Sequence, residues 1–254
     1  MHGPSVVAEV LALRKEGLGA RRIAKRLGLP LSTVRDWLSG QLPAHSRPCP
    51  GAADEHRCSA CGHLPHDFVH LPADYVYLLG LYLGDGCISH VHRGVHRLRI
   101  ALDTRYPGII ASTCAAMEVI RGGHCHVQAR PGNWVEVSAY WKSWPCLFPQ
   151  HGPGPKHERP IILTDWQLEL VNYWPDQLLR GLIHSDGCRF LNTGRGNWVW
   201  PRYCFTQASE DIRRLFCYAC DRMEIHWTPA RKRTIYVSRK ADVARLDEFI
   251  GPKC

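Results

Sequence analysis

The sequence predicts an α+β protein that contains an internal repeat and is preceded by a small helical domain and a linker. A nine-residue block ending in Asp-Gly and followed by Cys occurs at residues 78–86 and again at 179–187. Strand-like and helix-like stretches follow both blocks in the same order, as a duplicated unit requires. Residues 1–43 are rich in Arg, Ala and Leu, whereas residues 44–72 are rich in Pro, His and Cys.

Both blocks place small residues four positions apart: Gly80 and Gly84, then Gly181 and Ser185. Glycine costs about 1 kcal/mol against alanine inside a helix, so a plain core helix would not carry it there. Residues at i and i+4 share one helix face, which predicts two helices that touch backbone to backbone. That contact would bring Asp85 and Asp186 together. Paired carboxylates need a cation, and oxygen-only ligands suit magnesium and phosphodiester chemistry.

The two blocks resemble the motif of the LAGLIDADG homing endonucleases, to which each aligns without gaps. The resemblance covers roughly residues 73–254 and implies a pseudo-two-fold saddle of two αββαββα repeats, 73–160 and 161–254. It places metal-binding acids at Asp85 and Asp186, with Gly84 and Ser185 as further ligands and two or more magnesium ions per active centre. The alternative is two apolar helices that each end in an Asp-Gly turn; the second copy favours the nuclease.

The repeat continues beyond the two blocks, and each half ends in Gly-Pro-Lys. Strands are predicted at 98–103 and 203–207, helices at 109–120 and 211–225, and strands at 135–138 and 235–238. The resemblance implies that Lys156 and Lys253 organise the water nucleophile, and that Gln207 and Asp103 position solvent. The alternatives are Pro-Lys turns on a basic surface and ordinary polar residues at strand ends.

The charge favours a polyanionic partner. The chain of 254 residues has 32 Lys and Arg against 23 Asp and Glu, a net charge of +9, and nucleic acid is the usual partner of such a chain. The resemblance implies that strand side chains enter the major groove of double-stranded DNA, where arginine pairs with guanine. The candidates are Arg97, Arg99, Arg189, Arg195 and Arg202, with Trp198 and Trp200, although strand tryptophans are more often core residues.

Residues 1–43 predict a helix-turn-helix domain. Helices are expected at 6–14, at 20–27 and from residue 31 to an end at Ser39-Gly40, with Gly28 supplying the turn. The spacing of apolar residues resembles the resolvase or homeodomain-like kind. Base contacts would then come from Ser32, Thr33, Arg35 and Asp36 at the start of the recognition helix. The alternative is a three-helix bundle used for protein contacts.

The linker, residues 44–72, contains a Cys58-x2-Cys61-Gly knuckle in which two thiolates can hold one metal ion. The predicted zinc ligands are Cys49, Cys58, Cys61 and His66, with His63 as the alternative fourth ligand. So short a segment has almost no apolar core, and a metal would let it fold. The alternative is a disordered tether with free thiols.

The sequence contains no run of eighteen apolar residues, so we expect no membrane span. Its start lacks the features of an export signal, so we expect a cytoplasmic protein, associated with the bacterial nucleoid. Because the cytoplasm is reducing, most of the twelve cysteines are expected to be small buried thiols. We expect a monomer that cuts double-stranded DNA at a specific site with metal-bound water. The alternative is a transcription regulator that keeps the fold for DNA binding only.

Overall fold

The computed structural model describes residues 4–39, 57–63, 66–193 and 199–251. The chain divides into two compact units, residues 1–57 and 58–254. In the described part of the chain, no helix combines the length and apolar character needed to cross a membrane.

The first unit contains three helices, α1 (Pro4–Lys15), α2 (Ala20–Leu27) and α3 (Leu31–Leu38). Their core is formed by buried apolar side chains from all three helices and the turn: Val7, Val10, Leu13, Ile23, Ala24, Leu29, Val34 and Trp37. Gly28 ends α2 in the left-handed conformation, with φ of 62°, which glycine adopts without strain. The tight turn between α2 and α3 is therefore the one that the sequence predicts.

The second unit begins with a loop and continues as two successions of the same elements. The first is α4 (Ala73–Asp85), β1 (Gly86–His90), β2 (His96–Asp103), α5 (Pro107–Arg121), β3 (His126–Arg130), β4 (Trp134–Trp141) and α6 (Trp144–Leu147). A 3-10 helix (Lys156–Glu158) and α7 (Asp165–Tyr173) follow. The second is α8 (Pro175–Asp186), β5 (Gly187–Thr193), β6 (Val199–Thr206), α9 (Glu210–Arg222), β7 (Thr228–Pro229), β8 (Thr234–Val237) and α10 (Lys240–Ile250).

The two sheets have matching antiparallel topologies, β1-β2-β4-β3 and β5-β6-β8-β7. Each succession is therefore an αββαββα repeat, which confirms the predicted fold class. In each repeat one sheet face packs on the helices: Leu98, Ile100 and Leu102 are buried in β2, and Tyr203 and Phe205 in β6. The strand residues between them belong to the opposite face, because side chains alternate along a strand.

The cysteines differ from the prediction of buried reduced thiols. Cys114 and Cys125 form a disulfide between the middle of α5 and the loop before β3. Among the free cysteines in the described part of the chain, only Cys61 and Cys220 are buried. Cys87 and Cys188 are exposed because each stands one residue after the buried first glycine of its strand and so points to the other face.

Candidate functional site

The small residues of the two repeated blocks meet where α4 and α8 cross. A Cβ added to Gly80 would lie 2.7 Å from the carbonyl oxygen of Leu178 and 2.9 Å from the Cα of Gly181. A Cβ added to Gly181 would lie 2.3 Å from the carbonyl oxygen of Tyr77. The helices therefore touch backbone to backbone, as the spacing of small residues predicts, and their C-terminal ends come together.

The two predicted acids are the last residues of these helices. A Cβ on Gly84 would lie 2.1 Å from the hydroxyl oxygen of Ser185 and 2.7 Å from a carboxylate oxygen of Asp186. The carboxylate of Asp186 thus lies against the backbone of α4 at Gly84, the residue that precedes Asp85. Asp85 is exposed and Asp186 is half-buried, so both carboxylates can be reached from outside the protein.

Lys156 extends from the 3-10 helix to the end of α4. Its ammonium donates hydrogen bonds to the carbonyl oxygens of Leu83, at 3.0 Å, and of Gly84, at 2.8 Å, and also to that of Tyr82. Burial of the ammonium lowers the pKa of Lys156 to about 8, although Asp85 and Asp186 act to raise that pKa. The structure thus brings the predicted lysine and both predicted acids into one electrostatic group.

The residues predicted to position solvent are not equivalent in the two repeats. The side-chain amide of Gln207 donates to the carboxylate of Asp186 at 2.6 Å. Asp103 instead accepts from the guanidinium of Arg105 at 2.7 and 2.9 Å and from the Arg105 backbone amide at 2.8 Å. Asp103 and Asp85 line the same cleft, which has a volume of about 250 Å³. Lys253, the other predicted lysine, lies outside the described residues.

The open face of the first sheet carries arginines arranged around a buried carboxylate. Glu136 on β4 pairs with Arg97 on β2 and, at 3.0 Å, with Arg130 on β3, while Arg99 approaches it to 4.0 Å. The side chain of Arg97 is 18% exposed and that of Arg99 is 44% exposed. Of the two arginines predicted to face DNA here, Arg99 is accessible, whereas Arg97 mainly neutralises Glu136. Sequence reasoning missed Arg130.

The predicted arginines of the second sheet lie on opposite faces. The guanidinium of Arg202 lies 4.9 Å from the ring centroid of Tyr236 on the open face, which also carries Trp200. Arg189 pairs in register with the buried Tyr203 and forms two hydrogen bonds, at 2.8 and 2.9 Å, with Asp247 of α10. The prediction that Arg189 faces DNA is therefore corrected: it belongs to the helix-covered face. Arg195 and Trp198 lie outside the described residues.

In the first unit, the side chains predicted to read bases lie mostly on the surface. Ser32, Arg35 and Asp36 are exposed and Thr33 is half-buried, whereas Val34 and Trp37 of the same helix are buried. Four exposed basic residues lie on α2: Arg21, Arg22, Lys25 and Arg26. The described part of this unit therefore presents a basic surface along α2 and a polar start to α3.

A second cluster lies before α4. The ligand atoms of Cys58, Cys61, His66 and Cys146 all lie within 4.8 Å of one another; we call these four residues the Cys/His group. The Sγ atoms of Cys58 and Cys146 are 3.7 Å apart, and Cys61 Sγ is 3.2 Å from His66 Nε2. A tetrahedral zinc with Zn–S bonds of about 2.3 Å has sulfur–sulfur edges of about 3.8 Å, so these positions fit one.

Three of the predicted zinc ligands are thus brought together, and the fourth position is filled by Cys146, which sequence reasoning missed. Cys49, predicted for that position, lies outside the described residues. The alternative, His63, instead shares a hydrogen bond of 3.1 Å with the hydroxyl of Ser143. Burial lowers the pKa of His66, which favours the neutral imidazole that ligates metals, and a backbone hydrogen bond from Cys61 lowers the pKa of Cys58.

Residues 5–44 match the family model of a homeodomain-like domain. This match agrees with the helix-turn-helix predicted for the N-terminal domain. No curated protein matches the sequence.

The chain is similar to several solved LAGLIDADG structures. One is the meganuclease I-AabMI bound to uncleaved DNA, with 16% identity over 70% of this chain and 83% of that chain and a TM-score of 0.44. A mesophilic variant of the homing endonuclease I-DmoI has 13% identity over 71% of this chain and 96% of that chain, with a TM-score of 0.46. The N-terminal LAGLIDADG domain of DUF199/WhiA has 15% identity over 73% of this chain and 86% of that chain, with a TM-score of 0.44. At these identities the likeness concerns the fold and not the activity.

Proposed function

We propose that this protein is a site-specific endonuclease that hydrolyses phosphodiester bonds of double-stranded DNA with metal-bound water. The observation that carries the proposal is the meeting of Asp85 and Asp186 at one end of the Gly80–Gly181 helix contact, with Lys156 held over the same end. Two glycines inside helices are costly, and their close contact supports a need to bring the helix ends together.

The donor atoms at the helix ends fit magnesium, because all are hard oxygens. Asp85 and Asp186 would supply carboxylates, and Gly84 and Ser185 would supply further oxygens to two or more ions. The Ser185 hydroxyl donates its hydrogen to the carbonyls of Gly181 and Leu182, and a donating hydroxyl still offers oxygen lone pairs. When bound, such ions lower the pKa of water and neutralise charge that develops on the phosphate.

The remaining residues of the site have separate tasks in this proposal. Protonated Lys156, whose three N–H groups are held by carbonyls at the end of α4, offsets the charge of the scissile phosphate near Asp85. Gln207 holds one carboxylate oxygen of Asp186, which fixes the orientation of that acid. In the first repeat, Asp103 is held by Arg105, and we therefore propose that the two strands are cut at different rates.

DNA would lie across the open sheet faces. Arg99, Arg130 and Arg202 would contact the phosphates and base edges of the duplex, and arginine suits both kinds of contact. The helix-turn-helix would lengthen the recognised site through effective concentration. Since one chain carries both acids, a monomer would suffice to cut both strands.

The test is a selection of bound and of cut sites from a random duplex library in magnesium. The proposal expects one sequence family to be enriched in both pools. Tight binding to an enriched sequence without cutting, in magnesium and in manganese, would favour the alternative of a transcription regulator.

We further propose that the Cys/His group is a structural zinc site. Three sulfurs and one imidazole nitrogen are the donors that zinc prefers, and the Sγ–Sγ distance between Cys58 and Cys146 supports tetrahedral geometry. Metal analysis of the purified chain should find one equivalent of zinc.

A further inference from the structure

The Cys/His group joins two parts of the second unit that are far apart in sequence. Cys58, Cys61 and His66 come from the loop before α4, and Cys146 comes from α6, which follows the first sheet. Beside the group, the hydroxyl of Ser143 donates to Cys61 Sγ at 3.6 Å. A metal ion bound there would therefore fix the start of α6 to the loop that leads into α4.

The chain that leaves α6 at Leu147 reaches Lys156 through residues 148–155. The carbonyl of Leu147 accepts a hydrogen bond of 2.6 Å from the buried hydroxyl of Tyr75 on α4. The ring of Phe148 packs on that of Tyr82, with centroids 4.6 Å apart. Both contacts tie this segment to the helix that ends at Asp85, so the position of α6 bears on the position of Lys156.

We infer that the metal of the Cys/His group is a positioning device for Lys156, and that its loss slows cleavage of one DNA strand selectively. The inference rests on the proposed endonuclease function and the proposed zinc site. A misplacement of about 1 Å in a reacting group can cost roughly 100-fold in rate. In the described part of the second repeat no comparable group of Cys, His, Asp and Glu side chains exists. Cleavage of the strand that Asp186 serves should therefore not depend on such a metal.

The experiment compares the full chain with Cys146→Ala, Cys146→His and Cys217→Ala. Cys146→His restores a four-ligand zinc set, and Cys217→Ala removes a half-buried free thiol from α9 of the second repeat as a matched control. Three properties are measured for each: zinc content, hydrogen exchange of residues 144–159, and the separate rates of nicking of the two strands of a selected site in magnesium. Lys156→Met identifies the strand that depends on the lysine.

The inference expects Cys146→Ala to lose zinc and the amide hydrogens of residues 144–159 to exchange about tenfold faster or more. The same variant should nick the strand affected by Lys156→Met about tenfold more slowly or worse. It should nick the other strand at a rate within about twofold of that of the wild type. Cys146→His should recover all three properties, and Cys217→Ala should match the wild type. If Cys146→Ala fails to fold, treatment of the wild type with a zinc chelator takes its place.

Three results would overturn the inference: a wild type without metal, unchanged exchange of residues 144–159 after zinc loss, or equal slowing of both strands. A wild type that holds zinc but cuts neither strand would contradict the proposed function instead. In that event the exchange measurement alone decides whether the metal fixes the segment that carries Lys156.

Discussion

Gly80 and Gly181 pack backbone against backbone, so that a Cβ built on either residue would lie 2.9 Å from the Cα of the other. Real Cβ atoms do not approach other heavy atoms so closely. The contact sets the distance between α4 and α8, and with it the placement of Asp85 and Asp186.

Gly181→Ala should destabilise the second unit by about 1–3 kcal/mol, the usual cost of forcing extra volume into a packed interior. The new Cβ would lie 2.3 Å from the carbonyl oxygen of Tyr77, a backbone atom that cannot swing away. Gly108→Ala in α5 is the matched control, because no heavy atom from outside its own stretch of helix lies within 4 Å of its Cβ position. Urea denaturation measures both changes; equal stability of the two variants would contradict the tight contact.

Lys156 should make the stability of the metal-free protein depend on alkaline pH. Burial lowers its pKa from 10.5 to about 8, so between these values the unfolded state binds a proton that the folded state lacks. The contribution of Lys156 to the free energy of unfolding therefore rises as pH rises from about 8 to 10.5. The measurement is urea denaturation of wild type and Lys156→Met in a chelator at several pH values. If the free energy of unfolding of the wild type, relative to that of Lys156→Met, stays constant or falls as the pH rises, burial of the lysine is contradicted.

Arg202→Ala and Arg189→Ala should separate DNA contact from stability. Arg202 lies on the open face, so its loss should weaken binding and reduce the slope of log affinity against log salt by about 1 if it contacts a phosphate. Arg189 is held by Asp247 on the other face, so its loss should leave that slope unchanged. Binding titrations over a range of salt concentrations check both, and a reduced slope for Arg189→Ala alone would reverse the assignment of faces.

Arg35→Ala and Lys25→Ala should affect DNA binding by the first unit in different ways. Arg35 is exposed on the predicted recognition helix, and its loss should cost about 1–3 kcal/mol and relax preference at one base position. Exposed Lys25 would contact only phosphate, so its loss should weaken binding evenly across sequences. Selection profiles of both variants are the measurement. Unchanged profiles and affinities would indicate that this unit contacts another protein instead.

The repeat and the helix contact could be predicted from sequence because small residues at i and i+4 lie on the same face of a helix. A second copy of the same pattern makes a chance occurrence improbable. The faces of strand residues were less predictable. A shift of one residue in register moves a side chain to the other face, which is why Arg189 was misplaced. Cys146 was missed because it is 88 residues away from Cys58 and no local spacing marks it. The finer domain boundaries remain predictions.

The most direct test of the central proposal compares wild type with Asp85→Asn and Asp186→Asn on one selected duplex in magnesium. Both substitutions keep the shape of the side chain and remove its charge. The account predicts binding within a few-fold of wild type and loss of double-strand cutting in each variant, with at most one strand still nicked. Cutting of both strands by either variant at the wild-type rate would contradict the account.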